Sequence, residues 1–323
     1  MDNLLTSVEV CAGAGGQALG LETAGFSHTA LVDNDKHCCN TLRHNRPEWN
    51  VIEGDLESFN GKPYAGVDLL SGGLPCPPFS VAGKQLGKDD ERNLFPAFFR
   101  LVSEIRPRSV LIENVRGFLD PVFEDYRNSI RQQFRKLGYE CDWKLLNAGD
   151  FGVAQLRPRV AIVAMHRDDF QYFAFPEASG AKKLTVGELL GPMMAEGGWN
   201  GAREWAKKAN CIAPTLVGGS KKHGGPDLGP TRARKAWAAL NVEGRTIADA
   251  PPPPDLVGMP RITVPMAARI QGFPPEWTFT GKKTPAYRQV GNAFPPPVAM
   301  AIGCAIKTTF SHADAMSQKA NVQ

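Results

Sequence analysis

Short apolar runs that break off in glycine or an acid recur along the first half of the chain. Leu4 to Val10 reads as a buried strand ending in Cys11-Ala12-Gly13-Ala14-Gly15-Gly16, with a helix to follow from about Gln17 to Ala24. Ala30 to Val32 delivers Asp33, and Val51 to Glu53 runs into Gly54-Asp55-Leu56. Val67 to Leu70 leads into Ser71-Gly72-Gly73-Leu74-Pro75-Cys76-Pro77-Pro78. Apolar residues at 95, 98, 99, 102 and 105 make one buried face of a helix from Phe95 to Ile105. Ser109 to Val115 is nearly continuous and carries Glu113 near its end, as a parallel central strand would. A helix over 127–137, a strand from Tyr139 to Asn147 and a strand from Val160 to Met165 complete the alternation. If the strand begins earlier, Gln155, Arg157 and Arg159 share one of its faces by the period of two. Strand and helix in turn predict an open α/β sheet, whose ligands bind beyond the carboxyl ends of its strands.

From about residue 176 the character changes. Glycine, proline and tryptophan crowd in, Gly218 to Gly225 forms a basic loop, and Pro251 to Pro254 is a stiff spacer. Regular patterning returns only in a helix from Val298 to Thr308, expected to pack back on the first domain. A chain of 323 residues suits a larger and a smaller domain. No apolar run reaches the roughly 18 residues of a membrane span. The N-terminus lacks a signal-peptide pattern, since Asp2 and Glu9 interrupt it. Seven scattered cysteines argue for reduced thiols in the cytoplasm. His37-Cys38-Cys39 has no second ligand pair at zinc spacing, so it reads as helix packing and no metal is expected.

Charge adds a direction. Between Gly180 and Pro260 eleven Lys and Arg face seven Asp and Glu, so the formal excess of +4 lies in that quarter of the chain. This is a modest footprint for a polyanion. The cysteine at 76 adds chemistry, because three prolines and two glycines hold it on a turn past a strand end, a mounting that suits a nucleophile. Asp33 follows Gly16 at close to the offset at which an acid takes ribose hydroxyls, and Asp55 ends the next strand. The turn is neither a P-loop nor a full Gly-x-Gly-x-x-Gly, which fits an adenosine without phosphates.

In this order the motifs resemble those of the DNA (cytosine-5)-methyltransferases of prokaryotic restriction-modification systems. The resemblance runs from Leu5 to about Ile306. It is carried by the glycine turn, Pro75-Cys76, Glu113-Asn114-Val115, Gln155-Leu156-Arg157-Pro158-Arg159, Thr215-Leu216, Ala268 to Pro274 and Tyr287 to Ala293. It implies a Rossmann-like class I methyltransferase sheet with a second, smaller target-recognition domain. Residues 1–180 and 285–323 would be catalytic and bind S-adenosylmethionine, and 181–284 would form the recognition domain and hinge. The resemblance makes Cys76 the nucleophile toward C6 of a flipped-out cytosine in double-stranded DNA. Glu113 would act at N3, Arg159 at O2, and Arg157 beside them. Cofactor contacts would fall to Cys11, Gly13, Gly15, Gly16, Asp33, Asn34, Asp55, Leu56, Pro75, Leu94, Asn292 and Ala293. DNA contacts would fall to Ser80, Lys84, Arg92, Thr215, Leu216, Lys221, Lys222, Arg232 and Arg234, with Gly83 and Gly87 as hinges of a loop over 81–92.

The implied setting is a cytoplasmic, nucleoid-associated monomer, paired with a cognate restriction endonuclease that shares its site without a stable complex. Two positions depart from the family: Cys11 replaces a usual Phe, and Met266 a usual acid. Three other readings stay open on the residues. One is a transfer-RNA cytosine methyltransferase, against which the long 176–260 segment speaks. Another is a non-catalytic DNA-binding protein with a decayed fold, against which intact Cys76, Glu113 and Arg159 speak. The third is a dinucleotide oxidoreductase, disfavoured by the absent third glycine.

Overall fold

The computed structural model describes residues 4–74, 93–180, 182–219 and 225–320. Seven strands form one sheet: β1 Leu5–Val10, β2 Phe26–Asp33, β3 Val51–Glu53, β4 Leu69–Gly73, β5 Ser109–Val115, β6 Tyr139–Asn147 and β7 Pro158–His166. Their order is β3-β2-β1-β4-β5-β7-β6. The first five are parallel to their neighbours, and β7 is antiparallel to both β5 and β6. The chain winds outward from β1 to β3, then restarts at β4 and winds the other way. Between β1 and β4 the winding reverses, and in such sheets the ligand crevice opens there.

The sheet is apolar on both faces because helices cover both. Val110 and Ile112 of β5 join Phe98, Leu101 and Val102 of α3 (Phe95–Ile105) and Phe134 of α4 (Glu124–Lys136) in one core. Leu111, one position out of phase, joins the opposite core with Leu21 of α1 (Gly16–Ala24) and Ile302, Ile306 and Phe310 of the last helix. That is the period of two expected of a strand buried on both sides. The last helix, Pro296–Ala320, opens on two prolines suited to a first turn and runs well past the expected Thr308. Its later turns are polar, so the apolar pattern alone ended the prediction early.

Strand β2 also starts earlier than expected, at Phe26. Ser27, His28 and Thr29 masked the apolar signal. His28 is buried, with Ser7 Oγ 2.8 Å from Nδ1 and Ala18 O 2.9 Å from Nε2. Cys38 and Cys39 are buried on α2 (Lys36–Asn45), so they are packing residues, as read.

Beyond a short α5 (Arg167–Phe170), the described residues of the 181–284 segment hold four helices that apolar periodicity did not announce: α6 Val186–Ala195, α7 Ala202–Lys208, α8 Thr231–Ala239 and α9 Val264–Gln271. Then comes α10, Lys283–Asn292, and the final helix is α11. Trp205, Trp237, Ile247, Ile262 and Met266 form a core continuous with Leu19, Leu42 and Trp49 from α1, α2 and the loop after it. Trp277 sits at this seam, donating from Nε1 to Ala14 O at 3.2 Å.

Candidate active site

The glycine turn after β1 is a left-handed backbone: Cys11, Gly13 and Gly15 have φ of 50°, 55° and 85°. The glycines are small for different reasons. A Cβ at Gly15 would lie 2.7 Å from Leu42 and 2.8 Å from Trp277, and one at Gly16 would lie 2.1 Å from Phe294 O. Both are therefore crowded by protein. Among the described residues a Cβ at Gly13 would meet nothing within 4 Å, leaving an open cradle against the backbone there. Asp33, at the end of β2, closes one side of it. Its carboxylate accepts from Gly13 N at 2.8 Å and from Asp35 N at 2.7 Å. Asp55 is exposed one strand further on, its Oδ2 3.4 Å from Asn34 Nδ2. An open concavity at a helix N-terminus, flanked by two acids and, among the described residues, no basic phosphate ligand, fits an adenosine without phosphates better than a nucleotide.

Other residues expected at the cofactor take different places. Leu56 is buried in the core of the α3 face and offers only its backbone. Cys11 packs against the same core, where burial and the nearby Asp33 push its thiol far above the usual range. Leu94 caps α3 and is partly buried. Asn292 and Ala293 end α10 against the start of α1, where a Cβ at Gly16 would lie 3.2 Å from Ala293 Cβ. Pro75 lies outside the described residues.

The second half of the site stands at the end of β5. Glu113 pairs in register with Gly73 of β4, three positions before Cys76 in the sequence. Arg159, near the start of β7, lies opposite Val115 and reaches back to Glu113, Nε to Oε1 at 2.7 Å. Burial raises the Glu113 carboxyl, and Arg159 and then Arg157 oppose the rise. A carboxyl held toward its protonated form next to a guanidinium is equipped to donate a proton at one acceptor of a flat polar ring, and the guanidinium to bind another.

Arg157 corrects the sequence reading. Strand β7 begins only at Pro158, so Gln155, Arg157 and Arg159 do not line one strand face. Arg157 is fully buried, and its guanidinium donates to Leu216 O at 2.8 Å, Gly291 O at 2.7 Å and Ala293 O at 3.1 Å. It offers no open donor face to a substrate. Leu216, expected to meet DNA, is likewise buried, with N donating to Gln155 Oε1 at 2.8 Å. Thr215 is half-buried and donates to Leu156 O. Arg232 is exposed on α8 and Arg234 is half-buried there. The readings for Cys76, Ser80, Lys84, Arg92, Lys221 and Lys222, and for the 81–92 loop, fall outside the described residues.

Sequence reasoning missed two buried polar groups. Glu9, on β1, lies beneath the glycine turn with Ser71 Oγ 3.4 Å away, and burial, with a smaller push from Asp33, raises its carboxyl to about 8. Gln271 accepts from Gln155 Nε2 at 2.5 Å and donates to Ala293 O at 2.5 Å. An acid in the middle of an apolar strand was the one available signal for Glu9.

Sheet order, winding reversal and paired strand-end acids fit a Rossmann-like methyltransferase that uses S-adenosylmethionine. More narrowly, the chain belongs to the C-5 cytosine-specific DNA methylase family, whose model matches residues 5–308. It is 56% identical to the type II methyltransferase M.NgoMIV of Neisseria gonorrhoeae, over 92% of this chain and 96% of that one. It is 54% identical to the type II methyltransferase M.NaeI of Lentzea aerocolonigenes, over 95% of this chain and 76% of that one. Among solved structures, a mutant of DNMT2 from Spodoptera frugiperda superimposes with a TM-score of 0.64 at 17% identity, over 95% of this chain and 99% of that one, and so shares the fold.

Proposed function

We propose that this cytosine-5 DNA methyltransferase acts on a cytosine flipped out of the duplex, through a covalent bond between Cys76 and C6. The observation that carries the reading is the Glu113–Arg159 pair, buried at the end of β5 beside the strand that runs on toward Cys76. C5 of cytosine is a poor nucleophile by itself. Addition of the Cys76 thiolate forms the C6–S bond and pushes electrons toward N3, where Glu113 supplies the proton. Arg159 holds O2 as charge develops. C5, now enamine-like, takes the methyl group. S-adenosylmethionine, when bound, provides that methyl on a sulfonium centre. A base then removes the C5 proton, the C6–S bond breaks, Cys76 leaves as thiolate, and the N3 proton returns to Glu113 to give 5-methylcytosine. The ring atoms are closed to side chains inside a duplex, so flipping must precede addition, at a cost of a few kcal/mol.

Gly13, Asp33 and Asp55 frame the adenosine side, and the α10 end closes the methionine side. The 181–284 segment serves as the recognition region, with Arg232 and Arg234 among its phosphate or base contacts. The decisive experiment uses duplex DNA in which cytosine is replaced by its 5-fluoro analogue. Proton removal is then blocked, and a covalent adduct should accumulate and map to Cys76 by mass spectrometry, with none in Cys76→Ser. An adduct elsewhere, or no adduct with an active protein, overturns the mechanism.

The chain also fits the protective methylase of a type II restriction-modification system, in keeping with its likeness to the type II methyltransferases M.NgoMIV and M.NaeI. Alignments covering 92% and 95% of this chain leave too few residues over to bypass 181–284. A DNA target shared with those two enzymes is the reading this supports. Bisulfite sequencing of plasmid from cells expressing this chain or M.NgoMIV should show the same methylated cytosines; differing sites would separate their specificities.

A further inference from the structure

Four stretches of chain distant in sequence meet at the Arg157 side chain. They are the approach to β7, the segment 213–219, the end of α9 and the end of α10. Gln155 forms an isolated parallel bridge with Ala213, and its Oε1 accepts from Leu216 N. Arg157 takes Leu216 O with one terminal nitrogen, and Gly291 O and Ala293 O with the other. Gln271 closes the ring onto Ala293 O. The side chains of Gln155, Arg157 and Gln271 are each 0% exposed. A buried guanidinium is costly unless its donors are filled, so the carbonyls it meets are held in fixed positions.

Just beyond, the backbone is interlocked. A Cβ at Gly218 would lie 2.5 Å from Asn292 Oδ1 and 2.6 Å from Arg288 O. One at Gly291 would lie 2.4 Å from both N and Cα of Gly218. Two glycines thus let the 213–219 segment lie directly on the last turn of α10. Asn292 Nδ2 adds a hydrogen bond to Gly219 O at 3.1 Å. At the same helix end, Arg288 reaches Asp35, two positions from Asp33, at 3.5 Å.

We infer that Arg157 is a positioning residue for both substrates, and that the Gly218–Gly291 contact is the joint it holds closed. The inference rests on the proposed reading that the α10 end rims the cofactor pocket, and on the expectation from the resemblance that Thr215 faces DNA. One guanidinium then sets the spacing between the two, so a change at this joint disturbs DNA and cofactor binding together. Glu113 and Arg159 stay in place, because they are fixed by β5 and β7.

The test uses the full chain with tritiated S-adenosylmethionine and unmethylated plasmid DNA. Arg157→Lys keeps the charge, but one ammonium cannot span three separated carbonyls. Gly218→Ala inserts a single methyl into the joint and guards against misfolding of the first variant. In both, KM for DNA and KM for S-adenosylmethionine should rise together, by about tenfold, while the single-turnover rate at saturation stays within about threefold of wild type. Arg159→Ala is the contrast and should lose rate at saturation. Unchanged KM values, or a rise in only one, overturn the inference. Calorimetry with S-adenosylhomocysteine and no DNA gives a separate readout, in which both variants should bind about tenfold more weakly. That result stands even if the wild type forms no covalent adduct, so failure of the joint and failure of the proposed chemistry can be told apart.

Discussion

Arg159 Nε stands 2.7 Å from Glu113 Oε1, with the two side chains only 14% and 10% exposed. The pair is enclosed, yet it sits at the strand end where the cytosine ring is expected. Burial raises the Glu113 carboxyl and the guanidinium opposes part of the rise, so the acid is held toward its protonated form. Glu113→Gln keeps the shape and removes the proton transfer. It should slow methyl transfer by about 10²- to 10⁴-fold, with the melting midpoint moved by a few degrees at most. Arg159→Ala should also destabilise the fold by about 1–3 kcal/mol, by leaving a buried carboxyl without its donor. Methyl transfer onto plasmid DNA and urea melts check both. Full activity in Glu113→Gln would remove the acid from the mechanism.

The glycine turn separates packing from binding. Gly16→Ala places a methyl against Phe294 O and Gly15→Ala places one against Leu42 and Trp277, so both should destabilise the fold by about 1–3 kcal/mol or more. Gly13→Ala meets no described residue and costs the left-handed backbone, about 1–2 kcal/mol. Its methyl instead fills the cradle beside Asp33. Cofactor affinity should fall more in Gly13→Ala than in the other two, relative to the stability each loses. Calorimetry with S-adenosylhomocysteine, set against thermal melts, makes the comparison.

How much of this was legible depended on whether the signal was local. The runs ending at Asp33, Glu53, Leu70 and Val115 announced their strands, because a strand covered on both faces must be apolar throughout. The turn at 13–16 was visible because glycine is conspicuous. Arg157 misled: its chemistry suggested a donor for substrate, and only its carbonyl partners, 59 to 136 positions away in sequence, assign it to the interior. Leu216 misled for the same reason. The helices of 181–284 were hidden because they bury their apolar residues against α1 and α2 as well as each other, which blurs any single-face period. Met266 shows a local substitution with a local answer. Its sulfur accepts from Thr263 N at 3.4 Å while Thr263 Oγ1 accepts from Met266 N at 3.3 Å, so α9 keeps its capping box without an acid.

Glu9 makes stability fall with rising pH. The folded state holds its proton up to about pH 8, whereas the unfolded chain releases it near 4.5. Between those values the unfolded state gains by ionising and the folded state does not, so stability declines across that window and levels off above it. Glu9→Gln keeps a neutral side chain in the same space. Its advantage over wild type should grow from pH 5 to pH 8, approaching on the order of 4 kcal/mol. Urea melts across that range test it. Parallel pH profiles for the two proteins would mean that Glu9 ionises in the fold as easily as in water.

Seven thiols raise the question of which one performs the chemistry, and burial answers for several of them. Cys38 and Cys141 are buried and Cys11 packs partly buried against the core, and burial pushes the Cys141 thiol up to about 12 and the other two further. Cys39 donates to Asp33 O at 3.3 Å and is pushed up to about 11. Since the thiolate is the reactive form, none of these four should alkylate at pH 8 in the folded protein. Cys211 and Cys304 are exposed and should react with iodoacetamide, but neither lies at a strand end of the site. The Cys211→Ser, Cys304→Ser double variant should therefore transfer methyl groups at the wild-type rate. Its remaining sensitivity to iodoacetamide should follow alkylation of Cys76 alone, read by peptide mapping at increasing dose. If activity were lost in step with Cys11 or Cys39 instead, the reactive sulfur would belong to the cofactor side of the crevice, and the addition to C6 would have to be assigned to a different residue.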